Sequence, residues 1–307
     1  MFQIKREKKI AVKIIKNIDL YLFLLPVIVY FIVFHYTPMA GVQLAFKRYN
    51  PVKGIWGSAF IGFKHFIDFF NYYQFWNIIR NTLTLSVYGL ILNTVIPFIL
   101  ALLINQIPSK GFKKTLQTIT YAPHFISVIV LVGMMYVFMS PGSGIINHLI
   151  RALGGNTYFF FGETAAFPHI YVWSGIWQNT GWGTIIYLAA LSNISQDLHE
   201  AATVDGASKM QRIRHIDIPG ILPTAVVILI LNAGRIMNIG FQKAFLMQNS
   251  LNISVSEIIP TYVYKSGLLN LRFEYATAVG LFNSVINLIL IILVNRTARA
   301  LNQNSLW

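Results

Sequence analysis

Residues 81–109 read NTLTLSVYGLILNTVIPFILALLINQIPS, without a single Asp, Glu, Lys or Arg. A spanning helix needs about 20 mostly apolar residues to cross about 30 Å of hydrocarbon, and this run exceeds that length. The same test applied outward finds five more stretches: 20–46, 115–150, 164–196, 218–242 (interrupted only by Arg235) and 275–295. None shows the strict alternation of a lipid-facing barrel strand, so helix is the form that satisfies their backbone groups in lipid. The sequence therefore predicts an all-α integral membrane protein with about six transmembrane helices. No internal repeat or linker interrupts it, which makes 1–307 one membrane domain.

The composition agrees. Of 307 residues, 55% are hydrophobic and only 11% charged, too apolar for an ordinary soluble chain. The net charge of +14 is not that of a nucleic-acid reader, because the basic residues sit between apolar runs rather than on a folded polar face. Lys and Arg are retained on the cytoplasmic side of membrane proteins, where they also meet anionic lipid. The basic leader within 1–19 (Lys5, Arg6, Lys8, Lys9, Lys13, Lys16) places the N-terminus in the cytoplasm, and no small-residue cleavage site follows the first span closely. Six spans then put Lys110, Lys113, Lys114, Lys209, Arg212, Arg214, Arg296 and Arg299 inside as well, about 14 of the 24 basic residues in all. Both termini are expected in the cytoplasm. The aromatic segment 69–79 is too short to span and reads as an interfacial helix on the outer side. Pro26, Pro97 and Pro123 fall within spans and predict kinks or breaks. Zero Cys excludes disulfide frameworks, thiolate metal sites and Cys nucleophiles.

The loop at 193–220, between the fourth and fifth spans, is the most specific segment. It carries Glu200-Ala201-Ala202-Thr203-Val204-Asp205-Gly206-Ala207, continues through Met210, Ile213 and Ile216, and closes with Pro219 and Pro223. Ser195 caps a helix from Gln196, with Asp197 against the positive end of its dipole. Gly206 permits the left-handed turn that ends it. A second short helix is predicted from Ala207 to Ile216, ended by Pro219. The result is a compact knuckle. Its small residues Ala201, Ala202 and Ala207 allow it to seat deeply in another protein, and Glu200 is placed to pair with a basic residue there.

This order, E-A-A-x-x-D-G-A followed after about nine residues by I-x-x-P-x-x-x-P, resembles the coupling loop of ABC importer permeases, the membrane subunits of binding-protein-dependent transport systems. The chain departs from the family's usual Pro at Ser195 and bulky apolar residue near Ile213, without losing a group needed for docking. The stretches 117–147 and 212–223 are similar to the branch of sugar permeases that imports polysaccharide fragments and complex oligosaccharides, and the likeness extends from Ile18 onward. The resemblance implies a second homologous permease, two ATPase subunits and an extracellular or periplasmic solute-binding protein, in a bacterial plasma membrane. It also implies that ATP and Mg sit on the ATPases. This chain has no G-x-x-x-x-G-K-[ST] phosphate loop, so it needs no cofactor of its own and is not an enzyme.

Polyols need hydrogen-bonding groups and flat apolar faces along their path. On the fifth span Asn232, Arg235, Asn238 and Gln242 fall within about 120° of one another at 3.6 residues per turn. An intramembrane Arg by default faces a wet cavity or a partner. The fourth span offers Trp173, Trp177, Gln178, Asn179 and Trp182, with an outer aromatic belt as the competing role for Trp173. Asn283 and Asn287 are placed to join helices, and His124 has no second ligand spaced for a metal. An ion-coupled secondary sugar transporter is the alternative class, although such machines carry carboxylates within the membrane and the predicted spans have none.

Overall fold

The computed structural model describes residues 17–234, 236, 237 and 239–300. The basic leader up to Lys16, Arg235 and Asn238 lie outside the described residues. Within them the chain is helical, with one two-residue antiparallel pair, β1 (Lys47–Arg48) against β2 (Ala59–Phe60).

The first apolar run becomes α1 (Ile18–Phe31), a π turn at Ile32–Tyr36 and a 3-10 segment at Ala40–Phe46. No residue of α1 is buried; this span stands clear of the body. α2 (Lys64–Phe70) precedes a turn and then α3 (Phe75–Asn105). The expected interfacial helix over 69–79 is therefore replaced by the end of α2, a turn and the start of the second span. The reason is burial: Phe69 and Phe75 face inward, edge to face at 4.9 Å, and pack with Ile78, Tyr275 and Val279.

The expected third span over 115–150 is not one helix. α4 (Lys110–Tyr121) tightens into a 3-10 turn at Ala122–Phe125, and α5 (Val128–Phe138) leaves it bent by 97°. The bend falls three residues after Pro123, at Ile126 (ψ 127°) and Ser127 (ψ 151°), which are extended while Ala122 keeps helical angles; Ser127 starts the next helix by accepting from the Val130 amide at 3.3 Å. α6 (Ile145–Ala152) is separate, beyond a turn containing Pro141 and Gly142. α7 (Ala166–Ser192) follows, then α8 (Gln196–Val204), α9 (Lys209–Arg212), a π turn at Ile213–Asp217 and α10 (Ile218–Ala233). The fifth span thus stops at Ala233, short of Gln242, and α11 (Phe241–Met247) resumes after a break. α12 (Ile259–Tyr264) and α13 (Phe273–Ala300) complete the described chain.

Among the described residues, Ile18–Phe46, Phe75–Asn105, Lys209–Ala233 and Phe273–Ala300 are each long and apolar enough to cross a membrane, and the bent pair Lys110–Phe125 with Val128–Phe138 makes a fifth candidate. α7 has the length at 27 residues but carries too many Trp, Gln, Asn and Thr for the same test. Pro26 and Pro97 lie inside continuous helices.

The centre of the body is the pairing of α3 and α7. Leu85 packs with Ile176 and Val172 on one side, and Ala101 and Ile104 with Tyr187 and Leu191 on the other. Close approach is enforced by glycine: a Cβ on Gly181 would stand 2.0 Å from the carbonyl oxygen of Thr120, so α4 crosses α7 in backbone contact. Asn81 of α3 donates to the carbonyls of Ser254 and Glu257 at 2.9 and 3.0 Å. Those bonds hold the short helical turn Ile253–Ser256 and the residue after it, between α11 and α12; Glu257 there pairs with Lys265, just beyond α12, at 2.7 Å.

Candidate functional site

Two features stand out, a knuckle at one end of the spans and a cavity between them. In the knuckle, Ser195 Oγ accepts from the Asp197 amide at 3.2 Å and opens α8. Gly206 closes it at φ +79°: its amide donates to Thr203 O at 3.1 Å and the Ala207 amide to Ala202 O at 2.8 Å, the paired bonds of a Schellman turn. Ser208 then caps α9, accepting from the Gln211 amide while its own amide donates to Gln211 Oε1 at 2.7 Å. Arg212 donates to the Thr203 hydroxyl and ties the two helices together.

The second helix does not end at Pro219 as expected. It runs through the π turn into α10 as one helical stretch from Lys209 to Ala233. Pro219 stands at the second residue of α10, just after the π turn at Ile213–Asp217, a one-turn irregularity of long helices where the regular hydrogen-bond ladder is already offset.

Glu200, Ala201, Asp205, Gly206 and Met210 are exposed, and Ala202, Ala207 and Ile216 half-buried. Ile213 packs beside Ile194 and Ile218. Pro219 is exposed and Pro223 half-buried within α10. Leu198, Val204 and Met210 are exposed apolar side chains, and Glu200 has no ion pair among the described residues. The knuckle is anchored beneath by Asp217, 1% exposed. Its Oδ2 accepts from Gln106 Nε2 at 2.9 Å, and Oδ1 lies 3.2 Å from His199 Nε2. Lys209 Nζ donates to Gln106 O at 3.2 Å. One carboxylate thus gathers the end of α3, the first knuckle helix and the base of α10.

The cavity has a volume of about 840 Å³ and is partly open. Its walls are α3, α7, α10, Val128 of α5, Ile236 and the segment from Ile239 to Lys243. It runs along α7 from Tyr171 to Tyr187, about 24 Å of helix. Asn232, Gln242 and Asn179 line it, as do Asn93, Gln178 and Trp182. Trp182 stacks on His124 at 4.5 Å and 6°, and His124 Nδ1 lies 3.0 Å from Asn179 Oδ1. Flat apolar faces beside amides are the pairing that a sugar ring needs.

Trp173 and Trp177 lie on another face of α7, against a separate cavity of about 400 Å³ with Pro123 and Thr180. The two tryptophans are four residues apart, and so on one face of their helix; Trp173 Nε1 donates to the Tyr88 hydroxyl at 2.9 Å. Asn287 accepts at Oδ1 from the Met237 amide at 3.0 Å and holds the break after α10 against α13. The sequence reading missed Lys243, which lines the cavity, and the anchoring role of Asp217. The signal for Asp217 was a lone acid at the foot of an apolar run; Lys243 fell one residue past the expected end of its span.

Comparison with known proteins fits this arrangement. Residues 93–303 match the family model described as binding-protein-dependent transport system inner membrane component. Protein LplB of Bacillus subtilis (strain 168) is 43% identical over 288 residues, covering 94% of this chain and 91% of that one. The polygalacturonan/rhamnogalacturonan transport system permease protein YteP of the same organism is 39% identical over 307 residues, covering 100% and 96%. The crystal structure of a bacterial alginate ABC transporter, in complex with an alginate pentasaccharide-bound periplasmic protein, contains a chain that superposes with a TM-score of 0.89 at 38% identity, covering 96% of this chain and 98% of that one. On the strength of the matched residues and these near full-length relatives, the chain belongs to the family of inner membrane permease components of binding-protein-dependent transport systems.

Proposed function

We propose that this chain is one of two homologous permease subunits of an ATP-driven oligosaccharide importer in a bacterial plasma membrane. Two ATPase subunits carry ATP and Mg and receive the knuckle formed by α8 and α9; an extracellular or periplasmic binding protein delivers the sugar. Both termini lie on the knuckle's side, in the cytoplasm.

One observation carries the reading. The knuckle is held from beneath by Asp217 yet presents Leu198, Val204, Met210 and the charge of Glu200 outward, with no ion-pair partner for Glu200 among the described residues. An anchored, partly apolar projection at the end of a spanning helix is built to seat in another protein. The second permease is supported by the partly open cavity, since a translocation path needs walls on every side, and by the unburied first span. Sugar cargo is supported by Trp182, Asn179 and Asn232 in one cavity and by the polysaccharide names of the relatives. The ion-coupled alternative lacks support, because the described residues of the cavity wall include no carboxylate. Arg235 and Asn238, outside the described residues, are assigned to the same substrate path as Asn232.

The test is to purify the chain with its co-expressed neighbours in lipid vesicles and measure ATP turnover with glycan-loaded binding protein. Sugar-dependent stimulation is expected in the wild type. Glu200→Ala and Gly206→Pro abolish it while leaving the permease pair assembled; losing a paired interface charge costs about 2 to 5 kcal/mol. Full stimulation in both variants refutes the docking role.

A further inference from the structure

Lys243 is a buried basic side chain in the cavity wall. It lies on α11, is 8% exposed, and is the one charged residue among the described residues that line the cavity. Its Nζ donates to the Tyr171 carbonyl oxygen at 2.5 Å and stands 4.8 Å from the centroid of the Tyr171 ring. Neither group carries a negative charge. The two ion pairs among the described residues, His199 with Asp217 and Lys265 with Glu257, do not involve it.

An ammonium has three N–H donors, and the Tyr171 carbonyl takes one. The head group is nonetheless held in place. The Tyr171 hydroxyl donates to the carbonyl of Gly240 at 3.3 Å, so one tyrosine grips both the turn before α11 and the lysine that follows it. The facing wall is cut back at the same point: a Cβ on Gly175 would lie 3.2 Å from Nζ. A buried charge left unpaired costs several kcal/mol, and an ionisable group at membrane depth is by default a functional one with a partner to be named.

We infer that Lys243 is a specificity-determining residue whose ammonium receives the carboxylate of a uronic acid unit as an oligosaccharide passes through the cavity. The inference rests on the oligosaccharide-permease reading and adds the chemical class of the cargo. A charge-assisted N–H to carboxylate bond is roughly twice as strong as the neutral bond a hydroxyl offers, so an acidic sugar is favoured over its neutral counterpart. A lysine suits moving cargo: it holds a carboxylate as a point charge, without the two-pronged geometry of arginine that fixes one orientation. Trp182 and Asn179 line the same cavity and flank the path of the pyranose ring, leaving the carboxylate contact to discriminate.

The experiment uses the complete importer, with its partner permease, ATPases and binding protein, in vesicles. Uptake of trigalacturonate and of its carboxyl-reduced neutral counterpart is compared in the wild type, Lys243→Met and Lys243→Arg. Lys243→Met lowers trigalacturonate uptake by about tenfold or more, the effect of losing one hydrogen bond to a charged group. Neutral-sugar uptake falls less, and Lys243→Arg keeps most of the acidic-sugar uptake. In parallel, the loaded wild-type importer is treated with a water-soluble carbodiimide. The reagent activates the uronate carboxyl, the Lys243 amine attacks it to form an amide, and the reagent leaves as its urea. The expected product is a Lys243 peptide carrying the mass of the sugar, which a purely structural lysine does not give. Unchanged trigalacturonate uptake in Lys243→Met overturns the inference, as does an equal loss for both sugars. So does a carbodiimide bond from Lys243 to a carboxylate of the companion permease. A wild-type importer that carries the neutral sugar and not the acidic one defeats this inference alone, whereas one that carries neither defeats the permease reading. If Lys243→Met does not assemble, the wild-type cross-link decides.

Discussion

Replacing Asp217 with alanine removes the one side chain that joins the end of α3, the helix α8 and the base of α10. The magnitude follows from its two contacts. The Gln106 amide donates to a buried carboxylate at 2.9 Å, a bond to a charged group worth about 1.5 to 3 kcal/mol. His199 sits 3.2 Å from the other oxygen with 28% of its side chain exposed, and a pair so open to solvent adds about 0 to 1 kcal/mol. The hydrogen bond dominates, and the combined loss is about 1.5 to 4 kcal/mol. At about 1.4 kcal/mol per factor of ten, the opening equilibrium of the knuckle rises by about 10- to 700-fold. The assay is amide hydrogen exchange over residues 196–212 in the intact importer, read beside sugar-stimulated ATP turnover. Exchange accelerates there and stimulation falls, while the amides of α13 keep their protection. Asp217→Asn retains an acceptor for Gln106 and loses only the charge, so its exchange rises less than about tenfold. Wild-type exchange across the knuckle in Asp217→Ala refutes the anchoring argument.

Two further substitutions probe the packing beneath the cavity. Gly181→Ala drives a methyl group into the Thr120 carbonyl, and overpacking at such a crossing costs about 1 to 3 kcal/mol; the melting temperature of the purified complex falls, and an unchanged melt means that α4 and α7 separate freely. Asn287→Ala leaves the buried Met237 amide without its acceptor, at about 1 to 3 kcal/mol; exchange at residues 236 and 237 quickens, and unchanged protection there shows that α13 does not hold the break.

Much of this architecture is visible in where charge is missing. A run such as 81–109 has to be a membrane helix because no other structure satisfies its backbone in lipid, and the observed α3 overlaps almost all of it. The start of α8 at Ser195 and its end at Gly206 are equally local: a hydroxyl that caps and a glycine that tolerates positive φ. The failures are the places where neighbours decide. Nothing in the apolar pattern of 115–150 distinguishes a straight helix from one bent by 97°, because hydrophobicity measures the solvent and not the path. The expected stop at Pro219 gave way to a continuous helix, since the π turn before it has already offset the hydrogen-bond ladder. In the cavity the sequence favoured Trp173 and Trp177 together with Asn179. A helix has several faces, and the packing of α3 against α7 turns Asn179 toward the cavity and the two tryptophans away from it. Lys243 was overlooked because α11 begins after a break that no residue pattern announced.

The helical stretch from Lys209 to Ala233 is a lever about 37 Å long, with its foot in the knuckle and its upper end beside the cavity at Asn232. Its π turn at Ile213–Asp217 and its Pro223 are the points where such a helix bends. In the proposed importer, a displacement of the foot that these two points do not absorb reaches Ile228 and Asn232, and with them the cavity wall.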